Sequence, residues 1–163
     1  MVRTAKPLAG ALAALAFSAA MAFAAPGEPG HSHKSFAAGE PGNPQKPVAR
    51  TIEVTMKETE DAKMLFDPST VEIKRGEQVK FVLRNAGQVD HEFMLDSVAN
   101  NAKHKVQMEK NPDMEHDDPN GKRLAPNGSS EIVWRFTKAG TFEFACLIPG
   151  HYESGMKGTV VVK

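Results

Sequence analysis

Residues 146–156, CLIPGHYESGM, set a thiol, an imidazole and a thioether at intervals of five: Cys146, His151 and Met156. Cys146 is the only cysteine in the chain, so no disulfide can form within it. A fourth donor stands in NAGQVDHEF, where His91 opens the strand-like run HEFML. Two imidazoles, one thiolate and a weak axial thioether are the trigonal set that holds copper in electron-transfer sites. Thiolate and thioether suit Cu(I) and imidazole suits Cu(II), so one set serves both states. Zinc competes for Cys and His, but a thioether in the same loop favours copper. Taken singly, each residue has a plainer reading. A lone Cys at a strand end is a small buried hydrophobe, and a lone Met is core packing. A lone His is a hydrogen-bonded surface or core residue. Together, with Pro149-Gly150 before His151 and Gly155 before Met156, they point to a metal centre.

The elements that must hold these donors are short and β-rich. TIEVTM puts Ile52, Val54 and Met56 on one face. STVEIKRGEQVKFVLRNAG gives Val71 and Ile73, a turn at Arg75-Gly76, then Val79, Phe81 and Leu83. SSEIVWRFTKAGTFEFAC gives Ile132, Trp134 and Phe136, a turn at 138–140, then Phe142, Phe144 and Cys146, which this register points inward. GTVVVK closes the chain with Val160 and Val162. Period-two alternation broken by regular turns predicts an all-β fold, an antiparallel sandwich or barrel. The strand signal stops between Leu95 and Ser129. That insertion, about residues 96–128, is polar, with a short helix expected near 97–110 before Asn111-Pro112 breaks it. Its length marks a functional insertion or local disorder.

The chain of 163 residues allows one domain with extensions, and its formal charge of zero points to no nucleic-acid partner. Residues 1–24 carry Arg3 and Lys6, an apolar run and a closing AFA, the build of a cleaved signal peptide. Its removal turns 20 basic and 20 acidic residues into 18 and 20, a net charge of −2. No other segment is long and apolar enough to span a bilayer, so no membrane contact is expected of the mature form. Residues 25–48 hold five Pro, four Gly and only two large apolar residues, Phe36 and Val48, and are expected to form a flexible tail. The domain proper is then 49–163.

From about residue 50 to 163 the chain resembles the cupredoxins, the small type 1 copper proteins. The resemblance is carried by DHEF around His91, by FEFAC entering the loop, by the C-x4-H-x4-M spacing and by the closing GTVVV. It implies a Greek-key β-sandwich with His91, Cys146 and His151 as equatorial copper ligands and Met156 as the axial one. One departure stands out. Several members carry Asn after the first ligand histidine, bonded near the copper loop, and this chain has Glu92. That bears on the bonding around the ligands and hence on the redox potential.

Further His and Met residues lie outside the core: His31 and His33 in the tail, and His104, Met108, Met114 and His116 in the insertion. They are candidates for additional copper ions, or else members of a solvated loop. They resemble the added segments of periplasmic cupredoxins associated with copper tolerance. The expected function is therefore a periplasmic, monomeric copper protein that cycles between Cu(I) and Cu(II) in copper tolerance. The alternative is an electron shuttle to a respiratory or reductase partner protein. An oxidase or nitrite reductase would need a second copper with several more His, and the core has no His-x-His pair. A non-enzymatic role is expected.

Overall fold

The computed structural model of the protein describes residues 35–112, 114 and 118–163. In chain order the strands before the insertion are β1 (Glu40–Pro41), β2 (Arg50–Glu58), β3 (Met64–Asp67), β4 (Thr70–Ile73), β5 (Gln78–Asn85) and β6 (His91–Asp96). Helix α1 (Val98–Lys110) and β7 (Gly121–Leu124) follow, then β8 (Ser129–Arg135), β9 (Gly140–Ala145) and β10 (Lys157–Val162). They form two five-stranded sheets, β1-β8-β5-β2-β3 and β4-β10-β9-β6-β7. Both sheets are mixed and not purely antiparallel as the alternation implied, because β2 pairs parallel with β5 and β10 parallel with β4. Alternation reports which face is buried, and parallel and antiparallel neighbours bury it alike.

The inward positions are those the alternation assigns. Val79, Phe81 and Leu83 of β5, Trp134 of β8, Phe144 of β9 and Val160 of β10 are wholly buried between the sheets. Phe93 and Phe144 stack with centroids 5.2 Å apart, and Phe66 meets both rings edge-on. Such aromatic contacts add stability beyond their buried area. This aromatic layer lies directly behind β6 and β9, the strands that lead to His91 and Cys146.

Three elements depart from the sequence expectation. First, MLFD forms β3, whose Phe66 is buried. Second, the insertion contains β7, which pairs with β6 from His91↔Leu124 to Met94↔Gly121. Helix α1 falls where expected, started by Ser97, whose Oγ accepts the Asn100 N–H, and ended at Asn111. It lies across the outer face of β6 and β9, where Met108 packs on Met94, Ala145 and Leu147. All six residues of β6 are buried as a result.

Third, the segment expected to be a free tail is partly docked. From Phe36 onward it crosses the first sheet: Phe36 meets Trp134 edge-on at 5.1 Å, and Ala38 is wholly buried. Pro41 pairs with Trp134 in β8, while the Gln78 side chain accepts the Asn43 N–H and donates to Asn43 and Lys46 carbonyls. Phe36, one of the two apolar residues that looked too few for a core, instead packs against an existing one. The signal-peptide segment 1–24 and residues 25–34 lie outside the described residues.

Candidate metal centre

His91 is the first residue of β6, Cys146 follows β9, and Met156 precedes β10. These three strands are neighbours in one sheet, in the order β10-β9-β6. The loop between Cys146 and Met156 folds back on itself. The His151 N–H donates to the Ile148 carbonyl, the Met156 N–H to the His151 carbonyl and the Cys146 N–H to the Met156 carbonyl, each at 3.0–3.1 Å. Gly150 and Gly155 turn the loop at φ of 87° and 100°, where a side chain would be strained.

The donors converge. His91 Nδ1 and Cys146 Sγ each lie 3.3 Å from His151 Nδ1. The ligand atoms of His91, Cys146 and His151 all fall within 4.8 Å of one another, and no other such cluster of His, Cys, Asp and Glu occurs among the described residues. His91, Cys146 and Met156 are wholly buried, and His151 is half-buried at the rim. A soft thiolate and two imidazole nitrogens at this spacing suit copper or zinc. The main-chain ties of Met156 to both Cys146 and His151 place a thioether-bearing residue beside them.

Burial shapes the charges. It pushes the Cys146 thiol up to about 12, although the N–H of Glu92, 3.2 Å from Sγ, favours the thiolate. His151 is pushed below its usual value by burial and then by the charge of His91. His91 is lowered by burial too, against the opposing pull of Glu58. Both rings are therefore neutral near pH 7 and free to ligate.

Glu92, the departure noted in sequence, is wholly buried and bridges the two ligand segments. Its N–H reaches Cys146 Sγ, and its Oε2 accepts the Leu147 N–H at 3.2 Å. Burial raises its carboxyl to about 7, against the Leu147 bond that lowers it. A carboxyl side chain thus takes up the loop-bonding place that the resemblance assigns to an amide.

Two supporting residues carried no sequence signal. Asn85, at the end of β5, shapes the turn into His91: its Nδ2 donates to the Val89 and Leu124 carbonyls and its Oδ1 accepts the Gly87 N–H. Glu143 of β9 accepts from Asn101 of α1 and from the hydroxyl of Tyr152, next to His151, so the helix is tied to the ligand loop. The sequence shows Asn85 only as part of the NAG stretch ahead of His91, with nothing to mark its bonding.

Of the additional His and Met residues, His104, Met108 and Met114 are described, and none of the three joins this centre. Met108 is wholly buried in the apolar cluster under α1, and Met114 packs against that cluster. His104 lines a cleft of about 270 Å³ with Asp96, Asn101, Asp118 and Asn120. His31, His33 and His116 lie outside the described residues.

A sandwich of two mixed sheets with this donor cluster at one end defines a cupredoxin-type copper protein. Residues 52–163 match the family of copper binding proteins described as plastocyanin/azurin, and the chain belongs to that family, with copper as its cofactor. It is 46% identical over 162 residues to the copper-resistant cuproprotein CopI of Rubrivivax gelatinosus, covering 93% of this chain and 95% of that protein. It is 36% identical over 145 residues to the CopI of Pseudomonas aeruginosa, covering 71% of this chain and 77% of the other. Among solved structures it resembles auracyanin B, with a TM-score of 0.62 at 23% identity, covering 78% of this chain and 96% of that one. This last likeness concerns the fold alone. The first two are proteins named for copper resistance.

Proposed function

We propose that the protein is an exported, periplasmic copper-tolerance protein in which His91, Cys146 and His151 would hold copper, with the Met156 thioether as a fourth, weaker donor. Copper held by this set supplies a one-electron Cu(I)/Cu(II) couple. The observation that carries the reading is the convergence of buried His91 and Cys146, at adjacent strand ends, with half-buried His151 of the loop, all within 4.8 Å. The chain's own groups do the rest. Cys146 gives the thiolate and the Glu92 N–H steadies its charge. The bonded loop keeps His151 and Met156 in place, and the aromatic layer behind β6 and β9 excludes water. His151 is the half-buried member of the set, so its ring would be the side of the centre open to a partner protein.

The names of the full-length relatives favour copper tolerance over a plain shuttle. Export is supported by the charged, apolar and small-residue order of residues 1–24. We read the chain as a binding and electron-transfer protein and not as an enzyme. Adding Cu(II) to the purified protein should produce an intense visible band from thiolate-to-copper charge transfer, absent in Cys146→Ser. The wild-type gene, and not that variant, should restore growth on copper to a strain lacking it. Normal growth with Cys146→Ser would refute the tolerance role at this site.

A further inference from the structure

Glu58, the last residue of β2, sends its carboxylate into the turn that leads to β6. Its Oε2 accepts the Gln88 N–H at 2.9 Å and its Oε1 the Val89 N–H at 3.3 Å. Gly87 leaves the room: a Cβ there would fall 2.5 Å from Oε2, so any side chain displaces the carboxylate. The same Oε1 stands 2.9 Å from His91 Nε2, off the line of a directed hydrogen bond, so the contact is electrostatic. The other ring nitrogen, Nδ1, faces His151 in the ligand cluster. Asp90, the other acid near this ring, is engaged by Arg123 at 3.1 Å. A main-chain cradle thus holds one carboxylate against the far side of a ligand imidazole.

Resting on the copper reading above, we propose that Glu58 is a positioning and tuning residue of the metal centre. It keeps the His91 proton on Nε2, leaving the Nδ1 lone pair for the metal, and its negative charge favours Cu(II) over Cu(I). A carboxylate behind a ligating histidine fixes the tautomer and raises ligand basicity, and losing such a partner typically costs about 10- to 100-fold in metal affinity. A fixed negative charge also stabilises the doubly charged ion more than the singly charged one.

The test uses the full mature chain, loaded with copper alone. Cu(II) and Cu(I) affinities are measured by chelator competition and the potential by redox titration, for wild type, Glu58→Gln, Gly87→Ala and the surface control Glu131→Gln. Glu58→Gln should keep the visible band yet lower Cu(II) affinity about tenfold more than Cu(I) affinity, a potential rise of ~59 mV for a one-electron couple. Gly87→Ala, which moves the same carboxylate without deleting it, should shift the ratio in the same direction and decides the matter if Glu58→Gln does not fold. Glu131→Gln should change nothing. An affinity ratio altered less than about twofold in both site variants overturns the proposal, since a merely structural role weakens both oxidation states alike. If wild type itself gives no visible band with Cu(II), the copper reading fails first and takes this proposal with it.

Discussion

Loading the centre at neutral pH must strip one proton from Cys146. Burial holds the thiol at about 12, five units above pH 7, so the free protein carries it almost wholly protonated. At ~1.36 kcal/mol per unit, ionising it at pH 7 costs about 7 kcal/mol, which the metal–thiolate bond must offset. His91 and His151 are both pushed below their usual values by burial, which keeps the neutral form dominant at this pH. One proton per copper is therefore expected. The sign follows: higher pH favours the thiolate, so log affinity should rise by about one per pH unit between pH ~7 and ~10. Without metal the raised value works the other way. Folding favours the neutral thiol, so apo stability declines as pH climbs from the unfolded value of 9 towards 12. Anaerobic calorimetric titration of Cu(II) in two buffers of different ionisation enthalpy counts the protons directly. A count near zero, or the same count in Cys146→Ser, would refute the reasoning.

Three further outcomes are expected. Tyr152→Phe removes the hydroxyl that donates to the buried Glu143 at 3.0 Å and should cost about 1–3 kcal/mol, read as a lower urea midpoint at unchanged slope. Phe36→Ala should cost about 2 kcal/mol in the same assay by removing the half-buried ring on Trp134, and a loss under about 0.5 kcal/mol would show the segment to be unseated. Met108→Leu should keep the copper count by mass spectrometry and change stability by less than about 1.5 kcal/mol, whereas a lost copper would make Met108 a ligand.

Much of this arrangement was legible because strands advertise themselves by alternation. Val79, Phe81 and Leu83 mark one face at any register, and the same rule turned Cys146 inward with Phe142 and Phe144. The ligand loop was legible for a different reason, since its donors are close in sequence. Elements lacking alternation were not. GKRL in β7 has one large apolar residue, Leu124, and becomes a strand only because β6 offers it a free edge. The docking of Phe36 and Ala38 likewise depends on a sheet assembled from distant residues. Glu58 lies on a strand like any solvent-facing glutamate, and only the folded chain brings it to His91. Glu92 could be flagged by its place after His91, but its bond to the Leu147 N–H belongs to the tertiary structure.

The donor-bearing strands β10, β9 and β6 are held side by side by their own ladders, and the loop by its own turns. None of those bonds passes through an ion. The pocket is thus a cup and not a clasp: withdrawing its cargo breaks no joint of the vessel. A centre built this way would take up copper without a round of unfolding and refolding around it.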